Sequence, residues 1–222
     1  MSWFYKKKEY PDYWNSYSKH FDKKKLKNLD NPRFVALDTE TTGFDFNKDR
    51  LLCIGAVSIV KNQISVNDSF ERYIKQARFN PDSVKIHGII HNTKIQTVSE
   101  ESAVIQFLDY IKDSILVAHH AIFDITMINE ALFRLGLPKL KNKVIDTVDL
   151  YAKTRIKSNI INTSKGNTLD DIAEAYSLDL SDRHTASGDA LIAALIFIKT
   201  TNILKKSNSF KLKKYFIKRN RF

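Results

Sequence analysis

Asp38 and Glu40 stand two positions apart in the run RFVALDTETTG, residues 33–43, and this pair is where the chain first offers chemistry. Val35, Ala36 and Leu37 just ahead form an apolar, β-prone run without polar alternation, the pattern of a central strand covered on both faces. Side chains in a strand repeat with period two, so both carboxylates leave the same face, close to the strand's expected end. Side by side at the mouth of a buried strand they repel each other and resist desolvation unless a cation or a proton lies between them. A hard divalent ion, Mg²⁺ or Mn²⁺, meets that need. Solvated acids at an ordinary strand end are the competing reading of so short a motif. Thr41, Thr42 and Gly43 follow as turn formers, Gly43 allowing a sharp turn or a close approach to a ligand.

Two other segments bring acids or histidines to strand ends and helix starts. The strand expected at Ile115 to Ala118 runs into His119-His120 and a helix opening near Ala121, with Asp124 in its first turn. There an acid also suits the helix dipole, so capping competes with ligation. His184 and Asp189 are five apart, about 140° around a helix, and cannot share a helical face. His184 must precede the last helix, and Asp189 projects from its early turns beside a buried surface.

The elements that position these groups alternate between strands and helices. Leu51 to Val60 and Gln63 to Ile74 read as strands two and three of an antiparallel meander, joined by a tight turn at Lys61-Asn62. Arg78 to Thr97 is loop-like. A helix starts near Val98, and Val144 to Thr147 is another short strand with a helix after it through Lys153. Ser158 to Gly166 is polar. Asn167 or Thr168 caps the helix LDDIAEAYS, and the last long helix falls between His184 and Leu204.

Composition bounds the rest. At 222 residues, 43% hydrophobic and 27% charged, the chain has an ordinary globular makeup with room for one well-cored domain. The single cysteine, Cys53, excludes a disulfide framework and a cysteine-based zinc site. The longest uninterrupted apolar stretch, Ala190 to Ile198, is too short to cross a bilayer, and the N-terminus has no apolar leader, so a cytoplasmic protein is expected.

The net charge of +11 gathers at the ends. Residues 1–30 hold eight lysines against four acids, residues 201–222 hold eight Lys or Arg and no acid, and the middle is close to neutral. A polyanion gripped by the ends and processed in the middle explains that distribution, and plain solubility also does. The chain divides on this reading into a basic aromatic extension at 1–30, a catalytic domain at 31–203 and a basic tail at 204–222. In the extension, aromatics at 10, 13, 14, 17 and 21 follow a helical stripe, suited to packing on the core or to stacking on bases.

Taken together, DTETTG, IHGI, AHHAIFD, INEALFRLGLP, VIDT, NTLDDIAEAYSL and RHTASGDA resemble the DEDDh 3′-5′ exonucleases. Within them the chain is most similar to the epsilon-type proofreading exonucleases of bacterial DNA polymerase III, over roughly residues 31 to 203. The resemblance implies an α/β, ribonuclease H-like fold with a mixed five-stranded sheet and helices on both sides. It implies two Mg²⁺ or Mn²⁺ ions held by Asp38, Glu40, Asp124 and Asp189, with His184 as general base. Thr41, Thr42, His120 and Phe123 would face the substrate, although Phe123 also suits plain core. The family usually has Asn where this chain has His120. The implied activity is hydrolysis of DNA from a free 3′ end to nucleoside monophosphates, in proofreading or repair, with a DNA polymerase as the implied protein partner. Exoribonucleases of the oligoribonuclease and ribonuclease T type share the same five residues and are the nearest alternative. A non-catalytic nucleic-acid-binding module is the more distant one, against which the intact acids argue.

Overall fold

The computed structural model describes residues 9–22, 32–77, 95–155, 166–206 and 210–222. Three strands, β1 (Phe34–Thr41), β2 (Leu51–Val60) and β3 (Gln63–Ile74), form the expected antiparallel meander. Lys61 and Asn62, both at positive φ, make the two-residue turn between β2 and β3, the geometry that a right-twisted hairpin needs. On the other side of β1, β5 (Ile115–Ala118) and β6 (Val144–Asp146) continue the sheet in parallel.

The sheet is mixed and its order is β4-β3-β2-β1-β5-β6, six strands where five were expected. The extra one, β4 (Thr97–Val98), pairs in parallel with the end of β3. Two residues are too few for any hydrophobic alternation to announce. The acid-bearing strand ends one residue after Glu40, as expected. Its pairing with β2 carries it through the acids to Thr41, so Asp38 lies opposite Gly55 and Glu40 opposite Cys53 inside the ladder.

Helices cover both faces, and the period of β1 decides which. Val35 and Leu37 pack with α1 (Asp12–Lys19), α2 (Glu100–Ile111) and α3 (Ile122–Arg134). Ala36 faces the opposite layer, where Leu150 of α4 (Thr147–Tyr151) and Ala194 and Phe197 of α6 (Ala186–Lys205) are buried. Asp38 and Glu40, in phase with Ala36, therefore look toward α6. Between α4 and α6 in sequence, α5 (Leu169–Ala175) carries a capping box of Thr168 and Asp171 and packs on Ile192 and Ile196 of α6. Helix α6 is long and apolar enough to cross a bilayer, but 56% of its apolar window is buried within the protein, the setting of a core helix.

Both ends of the described chain pack on this core. Trp14 and Tyr17 of α1 are buried, and the Tyr17 hydroxyl donates to Asn142 Oδ1 at 2.6 Å while accepting from the Lys141 amide at 2.8 Å. At the other end Phe216 bridges Ile145, the Ile217 amide donates to the Val144 carbonyl at 2.9 Å, and Ile217 and Phe222 are buried. The tail thus covers the outer edge of β6. The IHGII motif, most of the polar stretch 158–166 and the first lysine and aromatic cluster of the N-terminus lie outside the described residues.

Candidate active site

Close packing of β2 on α6 brings the acids together. A Cβ on Gly55 would lie 2.2 Å from the Ala186 carbonyl carbon, so the start of α6 rests directly on the strand beside Asp38. Thr185 caps that helix, its hydroxyl accepting from the Gly188 amide at 3.1 Å, and Asp189 projects from the first turn. Carboxylate oxygens of Asp38, Glu40 and Asp189 then fall within 4.8 Å of one another.

The fourth acid comes from the other layer. Asp124 is buried in the first turn of α3 and reaches the edge of β1 through Thr39, whose amide and hydroxyl both donate to its Oδ1, at 3.0 and 2.7 Å. It stands outside the three-carboxylate group, although its charge is felt there. Burial, then the charges of Asp124, Asp189 and Glu40, raise the Asp38 carboxyl well above the usual carboxylate range. Burial with Asp189 and Asp124 lifts Glu40 to about 7. Burial lifts Asp124 to about 7 as well, against the pull of the Thr39 hydrogen bonds.

These groups fit a divalent cation. Asp189 Oδ1 is buried with no hydrogen-bond partner, and an orphaned oxygen on a carboxylate grouped with two others is a ligand atom in search of a charge. All-oxygen donors suit Mg²⁺ and Mn²⁺ in preference to softer metals.

The remaining expected residues surround this centre in different ways. His184 is exposed on the connection ahead of α6, at a left-handed φ of 65°. His120 is exposed too, at φ 54°, its amide and that of Ala121 donating to Asp146. Its neighbour His119 is structural: Nδ1 meets the Thr147 hydroxyl at 2.8 Å and Nε2 the Asn167 carbonyl at 3.0 Å, and burial lowers its pKa to about 4. Thr41 donates to the Gly43 carbonyl, and Thr42 donates to Asp49 Oδ1 at 2.8 Å, so the turn after β1 is pinned from below. Phe123 is half-buried against Phe44 and Phe46, each 5.7 Å away between ring centres. Phe44 is 76% exposed.

Several of these residues carry no signal in the sequence. Thr39, Asp49, Asp146, Asp170, Phe44 and Phe46 are not singled out by type or spacing, although Thr39, Asp146 and Asp170 lie within the segments DTETTG, VIDT and NTLDDIAEAYSL. Arg183 binds across two helices, which no local spacing reveals. A cavity of about 400 Å³, which none of the four acids lines, is bordered by Phe46, His120, Phe123, Asp146, Ile217 and Arg221.

A ribonuclease H-like α/β sheet with carboxylates gathered at its centre defines a class of nucleic-acid-processing domains, and comparison with known proteins gives the family. The model of the RNase_T exonuclease family matches residues 35–197. The chain belongs to this family, and with it to the DEDDh exonucleases. It is 34% identical over 174 residues to the PolC-type DNA polymerase III of Ureaplasma parvum and 31% over 182 residues to that of Staphylococcus epidermidis. Those matches take in 77% and 81% of this chain and 12% of each relative, so the chain spans about an eighth of their length. Among solved structures, E. coli exonuclease I in complex with a dT13 oligonucleotide superposes with a TM-score of 0.68 at 16% identity, over 79% of this chain and 42% of that one. Exonuclease X in complex with 5′ overhanging duplex DNA gives 0.60 at 19% identity, over 82% and 96%.

Proposed function

We propose that this chain is a metal-dependent 3′-5′ exonuclease that removes nucleoside monophosphates from DNA ends, in the cytoplasm, in proofreading or repair. The observation that carries the reading is the group of three carboxylates, Asp38, Glu40 and Asp189, in which Asp189 Oδ1 is buried and unpartnered. Asp38, Glu40, Asp124 and Asp189 would hold two Mg²⁺ or Mn²⁺ ions, four negative charges against four positive. Such ions supply Lewis-acid activation of water and charge neutralisation at the scissile phosphate. His184, exposed on the connection ahead of α6, would take the proton of the attacking water as the P–O3′ bond breaks. Phe123, with Phe44 and Phe46, offers aromatic faces to the terminal bases, and Thr41, Thr42 and His120 border the same end of β1 and α3.

DNA is favoured over RNA because the relatives are DNA polymerases and the superposed neighbours were solved with DNA. The same relatives make a DNA polymerase the natural protein partner. A denaturing-gel time course with end-labelled DNA and matched RNA, with Mg²⁺, with Mn²⁺ and with chelator, tests the reading. Metal-dependent laddering of DNA from the 3′ end is expected. Faster degradation of RNA would move the assignment to the exoribonucleases, and no degradation of either would overturn it.

A further inference from the structure

Arg183 puts one guanidinium between two carboxylates on different helices. Its Nε and one terminal nitrogen donate to Asp170 Oδ1 and Oδ2, at 2.5 and 3.2 Å, at the start of α5. Its other terminal nitrogen donates to Asp189 Oδ2 in the first turn of α6. The Arg183 side chain is only 17% exposed and that of Asp189 10%. Asp189 is thereby divided between two tasks. Oδ2 is taken by the arginine, Oδ1 is left buried and unpartnered, and the Asp189 carboxylate lies with those of Asp38 and Glu40 in one group whose oxygens are within 4.8 Å of one another. Arg183 also directly precedes His184, whose left-handed backbone must be held by its surroundings.

We propose that Arg183 is a positioning residue: by clamping Asp170 to Asp189 it turns Asp189 Oδ1 toward the metal site and fixes the connection that carries His184. This rests on the reading of the acid group as a divalent-metal site. The planar fork of arginine suits the task, since it can bind one carboxylate through two nitrogens and still offer a third to another. A lysine keeps the charge but places it at a single point. The positive charge also acts on the pocket, drawing Asp38 and Glu40 down against the acids that push them up.

Two roles predict opposite results. A mere counter-ion competes with metal, so Arg183→Gln would tighten binding while Arg183→Lys would resemble wild type. A positioning residue pre-organises a ligand, and losing such a partner typically weakens metal affinity by about 10- to 100-fold.

The experiment is calorimetric titration of the whole chain with Mn²⁺, without substrate, for wild type, Arg183→Lys, Arg183→Gln and Asp170→Asn, with thermal melts of each in chelator. Weaker Mn²⁺ binding by about tenfold or more is expected in both arginine variants. Asp170→Asn, which frees the other end of the clamp, should cost less, and the Arg183→Lys/Asp170→Asn double variant should lose less than the two losses combined. Wild-type affinity in Arg183→Lys, or tighter binding in Arg183→Gln, overturns the inference while leaving the metal site standing. A lowered melting temperature with unchanged Mn²⁺ affinity also overturns it, since the arginine would then be a structural staple only. If wild type binds no Mn²⁺, the metal-site reading fails first and this inference with it.

Discussion

His184 and His120 are both held at positive φ, where Asn is tolerated and Ala is strained. Asn is therefore the substitution that removes each imidazole with the least backbone cost. His184→Asn should lose roughly two to four orders of magnitude in single-turnover rate, the usual worth of general base catalysis. His120→Asn should cost under about tenfold, because that ring borders the cavity away from the carboxylate group. If His120→Asn is the more damaging, the base is elsewhere. The carboxylates give a separate test through stability. Glu40 is raised from 4.5 to about 7, so without metal the folded state binds more protons than the unfolded between those values. The stabilisation is complete below about 4.5 and is lost as pH rises through 7, at up to about 1.4 kcal/mol per pH unit. His119, lowered to about 4, acts in the opposite sense from 4 to 6.5, so the acid effect must be read by difference. In chelator, wild type should lose melting temperature relative to Glu40→Gln as pH rises from 5 to 8, and Mn²⁺ should recover it only in wild type. A pH-independent difference between the two would mean that Glu40 is not buried among like charges.

At the scale of elements, what the sequence disclosed follows from periodicity. The phase of β1 put Asp38 and Glu40 on one face, and the five-residue gap placed His184 ahead of α6 and Asp189 within it. Distances between layers were not legible. Asp124 arrives from the α3 side and meets Thr39 on β1, while Asp189 arrives from the α6 side. Nothing in a linear pattern says how near two layers come, and here a glycine decides it. Gly55 has no side chain to hold α6 away from β2, and a methyl there would lie 2.2 Å from the Ala186 backbone. Gly55→Ala should destabilise by about 1 to 3 kcal/mol, the usual cost of overpacking, and should lower activity more than partial unfolding explains, because the start of α6 carries Asp189. Melting temperature and Mn²⁺ affinity measured together check this. A variant that is destabilised but binds Mn²⁺ normally would show that the contact holds the fold without setting the site.

For the whole molecule the open matter is what the basic ends do. Their charge was plain in the sequence, as was the aromatic stripe that docks the first, but at the C-terminal end it hid the apolar residues that dock it. Ile217 and Phe222 sit among basic neighbours and are nevertheless buried, and the Ile217 amide is bound to β6. Removing residues 210–222 would uncover the β6 edge along with any binding surface, so truncation confounds the two roles. Charge can be removed alone. Lys213, Lys214, Lys218 and Arg221 are exposed on the docked tail, and Arg221 borders the cavity that also holds His120 and Phe123. That places positive charge next to the aromatic wall proposed for the substrate, where a phosphate backbone entering the site would pass. Changing all four to Gln should leave the melting temperature nearly unchanged, since none of the four supplies the buried contacts. It should flatten the dependence of single-stranded DNA affinity on salt, by a slope of up to about 3 if each neutralises one phosphate. Saturated turnover should change much less than affinity, because the carboxylates and His184 are untouched. Binding isotherms at several salt concentrations decide it: an unchanged slope would mean that the tail's lysines and arginines only solvate this edge, and a collapsed melting temperature that they hold it in place.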